Sequence, residues 1–144
     1  MQKLKSGFTM IELVFVIVVL GILASIAIPR LSATRDDATI TKGRADVASI
    51  RSAIVTERQS RLIQGVNTFI ANGTGAGQMD NGGLFGGVLM YPVTASAGND
   101  GWSGVAGSGT YVYKVSGSDN TFTYTPANGR FLCTAGTECA KLAN

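Results

Sequence analysis

The sequence has 144 residues, a formal net charge of +3 and no histidine. Without histidine, Ser-His and Cys-His nucleophile pairs, imidazole acid–base chemistry and most transition-metal sites are removed, so we do not expect an enzyme. The basic residues are concentrated in residues 30–63, with seven Arg or Lys against four Asp or Glu, whereas residues 64–144 carry three against four. This distribution gives little support for nucleic-acid binding, and none is predicted.

Residues 8–28 form an apolar run that is long enough to cross a lipid bilayer. As a helix, this run would span roughly 31 Å at a rise of about 1.5 Å per residue. It contains one charged residue, Glu12, and an acid in the middle of a membrane costs on the order of 3 kcal/mol. Glu12 is therefore a candidate functional residue. The alternative is a helix cap, because Thr9 and Glu12 match the capping-box pattern and an acid in the first turn suits the helix dipole.

Two lysines, Lys3 and Lys5, precede the apolar run and predict its orientation. By the positive-inside rule the short leading end stays in the cytoplasm, and the rest of the chain lies outside. A removable secretory signal is the alternative, since residues 25–27 (Ser-Ile-Ala) have the small-x-small pattern of a cleavage site. The run is longer than the apolar core of such a signal, so we predict a single membrane span.

The residues around the start of the run resemble the class III signal of type IV pilins and type II secretion pseudopilins. KLKSG ends at Gly7, and FTMIEL follows from Phe8 to Leu13. The resemblance implies that a prepilin peptidase cuts after Gly7 and methylates the new N-terminus at Phe8. It also implies that Glu12, the fifth residue of the mature chain, neutralises the Phe8 amine of a neighbouring subunit and sets the axial register of a filament.

Gly21 and Pro29 are the positions at which we expect the helix to bend. Pro29 falls where many members of the resembled family have a proline, at the end of the membrane span. A proline inside a helix leaves the carbonyl four residues earlier, here that of Ser25, without its usual donor. Gly21 has the alternative role of permitting close packing of helices in the membrane. We predict a curved or locally unwound helix here.

Residues 30–63 are predicted to continue the helix, because they contain no proline and a single glycine. Helical spacing places apolar and small residues on two roughly opposite faces. The apolar face, which we expect to cover the protein's own sheet, comprises Ile40, Val47, Ile50 and Ile54, with Leu62 near its edge. The opposite face either admits other helices in an assembly or is simply solvated, and it comprises Ala38, Ala45, Ser49, Ser52 and Thr56.

A row of arginines at a spacing of seven residues lies beside the apolar face. These are Arg44, Arg51 and Arg58. We expect their stems to lie along the apolar face while the guanidinium groups reach solvent. Pairing with an aspartate of another subunit (Asp36, Asp37 or Asp46) is an open alternative.

Residues 64–109 hold 13 of the 19 glycines and are predicted to be an irregular connection. Within it, residues 84–91 are expected to form a short helix or a strand. The resemblance implies that this connection is a variable loop on the filament surface.

Residues 110–144 are predicted to form an antiparallel meander. Alternating β-branched and aromatic residues indicate three strands, at residues 110–115, 121–125 and 130–133. We expect the strand aromatics to pack against the long helix and not to form a ligand platform.

The predicted fold class is therefore α+β, with a long N-terminal helix packed on a small antiparallel sheet, as in pilins. The helix has a membrane half and a globular half. The predicted segments are a leader (residues 1–7), a membrane and assembly helix (8–29), its amphipathic continuation (30–63), the glycine-rich connection (64–109) and the meander with a C-terminal disulfide loop (110–144).

The two cysteines, Cys133 and Cys139, lie near the C-terminus. With no histidine and no third thiol, we do not expect a zinc site. The predicted location outside the cytoplasm favours a disulfide, and many type IV pilins likewise end in a cystine-bounded region. Type II major pseudopilins often bind calcium there instead. Oxygen ligands could come from Asp100, Asp119 and Glu138, but these residues lack the spacing of a metal-binding loop. No cofactor is therefore predicted, and calcium is kept as the alternative.

The resemblance implies a structural subunit of a filament, most closely a type II secretion pseudopilin. Its implied partners are copies of itself, other pilins or pseudopilins, the prepilin peptidase and methyltransferase, an inner-membrane assembly platform and, before assembly, the lipid bilayer. The implied location is the bacterial inner membrane, with the globular part periplasmic, followed by a periplasmic or cell-surface filament. The alternatives are a type IV pilus pilin and, from a different class, a membrane-anchored binding module.

Overall fold

The structure of the chain, a computed structural model, describes residues 7–143. The long helix α1 spans Met10–Ile63, and the short helix α2 spans Cys139–Leu142. Between them lie four strands, β1 (Gly101–Gly104), β2 (Thr110–Val115), β3 (Ser118–Thr125) and β4 (Arg130–Ala135). The strands form one antiparallel sheet in the order β1-β2-β3-β4. This confirms the predicted α+β, pilin-like architecture.

The chain divides into two compact units, one of residues up to Arg35 and one of residues from Asp36 onward. In the second unit, α1 buries the apolar face that the sequence predicted, namely Ile40, Val47, Ile50 and Ile54. Gly43 lies on the same face, and a Cβ atom there would come within 2.5 Å of the Tyr113 ring. The helix can therefore approach β2 closely only because residue 43 has no side chain.

The sheet places its aromatic residues in the core, as predicted. Their side chains alternate with half-exposed neighbours along β2 and β3, which is the pattern of a sheet with one covered face. Four of these aromatic side chains are at most 2% exposed: Tyr111, Tyr113, Phe122 and Tyr124. The strand aromatics therefore belong to the packed interior and do not form an open ligand platform.

Two parts of the sequence prediction for residues 64–109 need correction. The segment 84–91 forms neither a helix nor a strand, and its ordered pairing is a single bridge between Leu84 and Val93. The connection also contains a strand that was not predicted, β1, which pairs with β2 at the edge of the sheet. Its GWSG sequence has a glycine at each end and one large residue, Trp102, and so lacks the alternating pattern of a typical strand.

The β2–β3 turn is also tighter than predicted. Val115 pairs directly with Ser118, so the loop contains only Ser116 and Gly117. Both have positive φ, of 48° and 81°, as a type I′ hairpin turn requires. Three residues that lie between the predicted strands, Ser118, Asp119 and Asn120, therefore belong to β3.

Candidate assembly interface

The first unit presents a continuous apolar surface on α1. Every large apolar side chain from Phe8 to Leu31 is exposed, from 37% at Val19 to 83% at Met10. By length and composition, α1 is apolar enough to cross a membrane. Monomeric soluble proteins rarely leave contiguous apolar patches larger than a few hundred Å² uncovered. This surface must therefore be covered by lipid or by other protein chains.

Glu12 lies in the first turn of α1. Its backbone N–H donates to the Thr9 hydroxyl oxygen at 3.3 Å, as expected when Thr9 is the N-cap. The helix-capping interaction that the sequence suggested is thus present. It uses the backbone of Glu12, which leaves the exposed carboxylate available for a partner. The two proposed roles are therefore compatible.

The other predicted site residues of the N-terminal region lie before α1 or within it. Gly7 and Phe8 precede α1, and the rest of the predicted leader lies outside the described residues. A Cβ atom at Gly21 would meet no atom within 4 Å, so the isolated chain alone does not require glycine there. Pro29 lies inside α1, and the helix continues through it without interruption. The chain is therefore not unwound at Pro29 in this structure, and a bend at either position stays a prediction.

The arginines of the row have partners within the chain that the sequence did not predict. Arg51 Nε donates to the Phe131 carbonyl at 3.1 Å, and one of its terminal nitrogens donates to the Ala143 carbonyl at 2.9 Å. Arg44 Nε donates to the Lys141 carbonyl at 2.9 Å. These arginines therefore attach the C-terminal end of the chain to α1.

Arg58, the third member of the row, stacks over the ring of Phe69, with its guanidinium carbon 4.7 Å from the ring centre. This is a cation–π contact within the same chain. All three arginines thus have intramolecular partners. Arg44 is nevertheless exposed, as predicted, whereas Arg51 and Arg58 are half-buried.

The C-terminal segment is closed by the predicted disulfide between Cys133 and Cys139, whose Cα atoms are 5.6 Å apart. Next to it, Asn120 is fully buried in β3. Its side-chain oxygen accepts from the Glu138 N–H at 2.9 Å, and its nitrogen donates to the Tyr113 carbonyl at 3.2 Å. The disulfide and Asn120 together hold the segment between β4 and α2.

Sequence reasoning missed a buried carboxylate that orders the glycine-rich connection. Asp80 is 0% exposed. It accepts hydrogen bonds from the Phe85 N–H at 2.8 Å, the Gly107 N–H at 2.7 Å and the Tyr111 hydroxyl at 2.8 Å. One side chain thus ties two distant points of the connection to β2. The only sequence signal was an aspartate followed by Asn-Gly-Gly, which indicates a turn and gives no sign of burial.

The core tyrosines resist ionisation. Burial raises the pKa of Tyr113 to about 12, with further contributions from the nearby negative charges of Asp46 and Asp100. Burial also raises the pKa of Tyr124 to about 12. Burial and the hydrogen bond to Asp80 raise the pKa of Tyr111 well above its ordinary value. All three therefore act as neutral donors that join the sheet to surrounding backbone and side chains.

Two of the three carboxylates considered for calcium, Glu138 and Asp100, have partners within the protein. Glu138 pairs with Lys141, with an N–O distance of 2.7 Å, and this interaction raises the pKa of the lysine. Asp100 accepts from the Ser116 N–H at 2.8 Å, and Asp119 is an exposed residue of β3. Within residues 7–143, no group of three or more His, Cys, Asp or Glu side chains is arranged to hold a metal ion.

Comparison with known proteins identifies the family. The profile of the prokaryotic N-terminal methylation motif matches residues 2–28. A type II secretion system core protein G of Pseudomonas aeruginosa is 30% identical over 97 residues, which cover 64% of this chain and 68% of that protein. The chain belongs to this family of pseudopilins. The pseudopilin is thus a structural filament subunit. Its apolar N-terminal helix is consistent with anchoring of the subunit in a membrane.

Other relatives match mainly a shorter stretch. A core protein G of Aeromonas hydrophila is 42% identical over 55 residues, 38% of each chain. The type IV narrow pilus major component PilA5 of Thermus thermophilus is 48% identical over 48 residues, 33% of this pseudopilin and 41% of that protein. No solved structure matches significantly. Both type II secretion and type IV pilus proteins are therefore among the relatives of this chain.

Proposed function

We propose that this pseudopilin is stored in the inner membrane through residues 8–29 and polymerises through the same segment. A prepilin peptidase removes residues 1–7, including both leading lysines, and a methyltransferase modifies Phe8. An inner-membrane assembly platform then draws the subunit into a periplasmic pseudopilus of a type II secretion system. The observation that supports this proposal most directly is the exposed apolar surface from Phe8 to Leu31, which includes one carboxylate, Glu12.

The exchange of environments explains how the helix can leave the membrane. Burial among other apolar helices replaces burial in lipid, so most of the apolar surface stays away from water throughout. Removal of the leader also removes Lys3 and Lys5, whose charges hold the leading end in the cytoplasm. In the filament, the Glu12 carboxylate neutralises the Phe8 amine of an adjacent subunit, and this charge pair sets the register.

Substitution of Glu12 separates the charge role from the capping role. Glu12→Gln can still serve in a capping box, but it has no charge to offer a neighbouring amine. We expect Glu12→Gln and Glu12→Val subunits to stay membrane-bound and to assemble poorly. Thr9→Val is the matched control, because it removes the cap and keeps the carboxylate. Filament yield is measured by shearing and electron microscopy, and a normal yield from Glu12→Gln would exclude the register role.

A type IV pilus subunit is the second candidate. Its support is the C-terminal disulfide, which resembles that of type IV pilins, and the similarity to a pilus component of Thermus thermophilus. Deletion of the gene distinguishes the two functions. We expect loss of exoprotein secretion with intact surface pili and twitching, and the reverse result would assign the protein to a pilus.

A further inference from the structure

Three asparagines of the chain, Asn72, Asn81 and Asn128, are each followed directly by glycine. Such a pair can react without an enzyme, because the backbone nitrogen of the glycine can attack the side-chain amide carbon of the asparagine. Glycine favours this attack, since it has no side chain to hinder the approach and its backbone adapts readily. The attack also needs a backbone N–H that is free of other hydrogen bonds and an asparagine side chain that can turn. The surroundings of each pair therefore decide which asparagine reacts.

The pair formed by Asn81 and Gly82 lies in a turn that directly follows the buried Asp80, and both of its residues are exposed. Among residues 7–143, no group accepts a hydrogen bond from the Gly82 N–H, and none pairs with the Asn81 side chain. Water therefore solvates both reacting groups, and neither has to break a contact within the protein in order to react.

The pair formed by Asn128 and Gly129 differs in its hydrogen bonds. Asn128 is exposed, like Asn81. The Gly129 N–H, however, donates to the Thr125 carbonyl at 2.9 Å, and Asn128 Oδ1 accepts from the Arg130 N–H at 3.1 Å. Both reacting groups are thus engaged, and the attack would have to break these hydrogen bonds first. This pair is a control that the chain itself supplies.

The pair formed by Asn72 and Gly73 is restrained by packing. Asn72 is half-buried, and its side-chain oxygen is buried. The Asn72 side chain lies so close to Gly109 that a Cβ atom at residue 109 would clash with it. A side chain held in this way cannot turn freely toward the following backbone nitrogen. Of the three pairs, only Asn81 and Gly82 thus combine exposure with reacting groups that are free.

We propose that Asn81 is a site of spontaneous deamidation. The Gly82 nitrogen loses its proton to hydroxide or water and forms a bond to the Asn81 side-chain carbon, Cγ. The bond between Cγ and the side-chain nitrogen breaks, and this nitrogen takes up a proton and leaves as ammonia. Water then opens the resulting cyclic imide at either of its carbonyls. The product at position 81 is aspartate or isoaspartate, with one water consumed and one ammonia released.

The modification acts on a part of the connection that Asp80 orders. Isoaspartate directs the main chain through the former side chain, which adds one carbon between Asp80 and Gly82. The Asp80 carboxylate accepts from the N–H of Phe85, only five residues further on. A Cβ atom at Gly86 would clash with the Asn81 carbonyl oxygen, so the turn is closely packed. We expect a longer main chain here to disturb the Asp80 hydrogen bonds and to loosen the connection.

Peptide mapping of the purified full-length chain in detergent measures all three pairs in one sample. The chain is kept at mildly alkaline pH, which favours loss of the backbone proton. Mass spectrometry then follows the conversion of amide to acid, and labelling by an isoaspartyl methyltransferase detects isoaspartate. We expect Asn81 to convert about tenfold faster than Asn128, which corresponds to about 1.4 kcal/mol, the cost of breaking one ordinary hydrogen bond.

The same chain in denaturant is the control, because unfolding removes the contacts that protect Asn72 and Asn128. The three rates should then become similar. Equal rates at Asn81 and Asn128 in the folded chain would overturn the proposal, and so would conversion of Asn81 only after unfolding. The experiment needs no filament, so its result is independent of the function proposed above.

The variant Asn81→Gln tests the structural consequence. Its longer side chain would have to close a six-membered ring, which forms far more slowly, so the reaction at this position is blocked. After the same incubation, we expect the original chain to unfold at a lower temperature than before and the variant to be unchanged. An original chain that has converted at position 81 and still unfolds at its starting temperature would overturn the proposed loosening.

Discussion

At the scale of single residues, the buried Asp80 carboxylate joins distant points of the glycine-rich connection. It accepts two backbone N–H groups and the Tyr111 hydroxyl while fully removed from water. A buried carboxylate is costly unless its oxygens are hydrogen-bonded. Here the donors come from both ends of the segment between Phe85 and Gly107, so the same interactions that satisfy the charge also close the loop.

Asp80→Asn should destabilise the fold by about 1–3 kcal/mol, since the amide nitrogen cannot accept and would face a backbone N–H. The measurement is thermal unfolding of the full chain in detergent, followed by circular dichroism. Asp119→Asn is the control, because Asp119 is exposed on β3, and it should unfold at the temperature of the original chain. An Asp80→Asn variant as stable as this control would show that the carboxylate is not needed to hold the connection.

At the scale of elements, α1 and the C-terminal segment stabilise each other through the arginine row. Arg51 donates to carbonyls of β4 and of the residue after α2, while Leu142 of α2 is 0% exposed. The disulfide closes a loop of about seven residues, which contributes roughly 2 kcal/mol in the chain-entropy model. These contacts therefore join α1, β4 and the C-terminal segment to one another.

Arg51→Met tests this coupling, since methionine keeps much of the apolar stem and loses both hydrogen bonds. We expect a loss of about 1–3 kcal/mol in the free energy of unfolding, because the two carbonyls lose a charged donor. Hydrogen exchange of residues 139–143 should also become faster. Lys42→Met, an exposed position on the same helix, is the control. Unchanged exchange in Arg51→Met would mean that the other contacts of this segment hold it without Arg51.

The same elements show what the sequence could and could not predict. The buried face of α1 and the strand β2 follow from periodicity, because a single continuous pattern determines each. The strand β1 depends on pairing with β2 and on the burial of Trp102, whose indole N–H donates to Asp46 at 3.1 Å. Such long-range contacts leave no local pattern in a glycine-flanked segment of four residues.

The candidate site was predictable to a similar degree. The positions of Gly7, Phe8 and Glu12 are local signals, so they could be recognised directly in the chain. The partners of Arg51 and Asp80 are backbone groups many residues away, which a spacing argument does not identify. The guanidinium groups of the arginine row were therefore predicted to reach solvent, and no role was predicted for Asp80.

At the scale of the whole molecule, the chain combines a core that it buries itself with an apolar surface that it leaves exposed. From Asp36 onward, apolar side chains of α1, the connection and the sheet bury one another. From Phe8 to Leu31 they are exposed, so this part of the chain requires lipid or other subunits. A structural subunit with two successive environments accounts for both observations.

The central claim is that the subunit enters the filament only after its leader has been removed, with Phe8 as the new N-terminus. The most direct test is the intact mass of subunits from sheared filaments, with fragmentation of the N-terminal peptide. We predict a chain that lacks residues 1–7 and carries one methyl group on the Phe8 amine. Filament subunits that retain Met1, or that begin at a residue other than Phe8, would contradict this account.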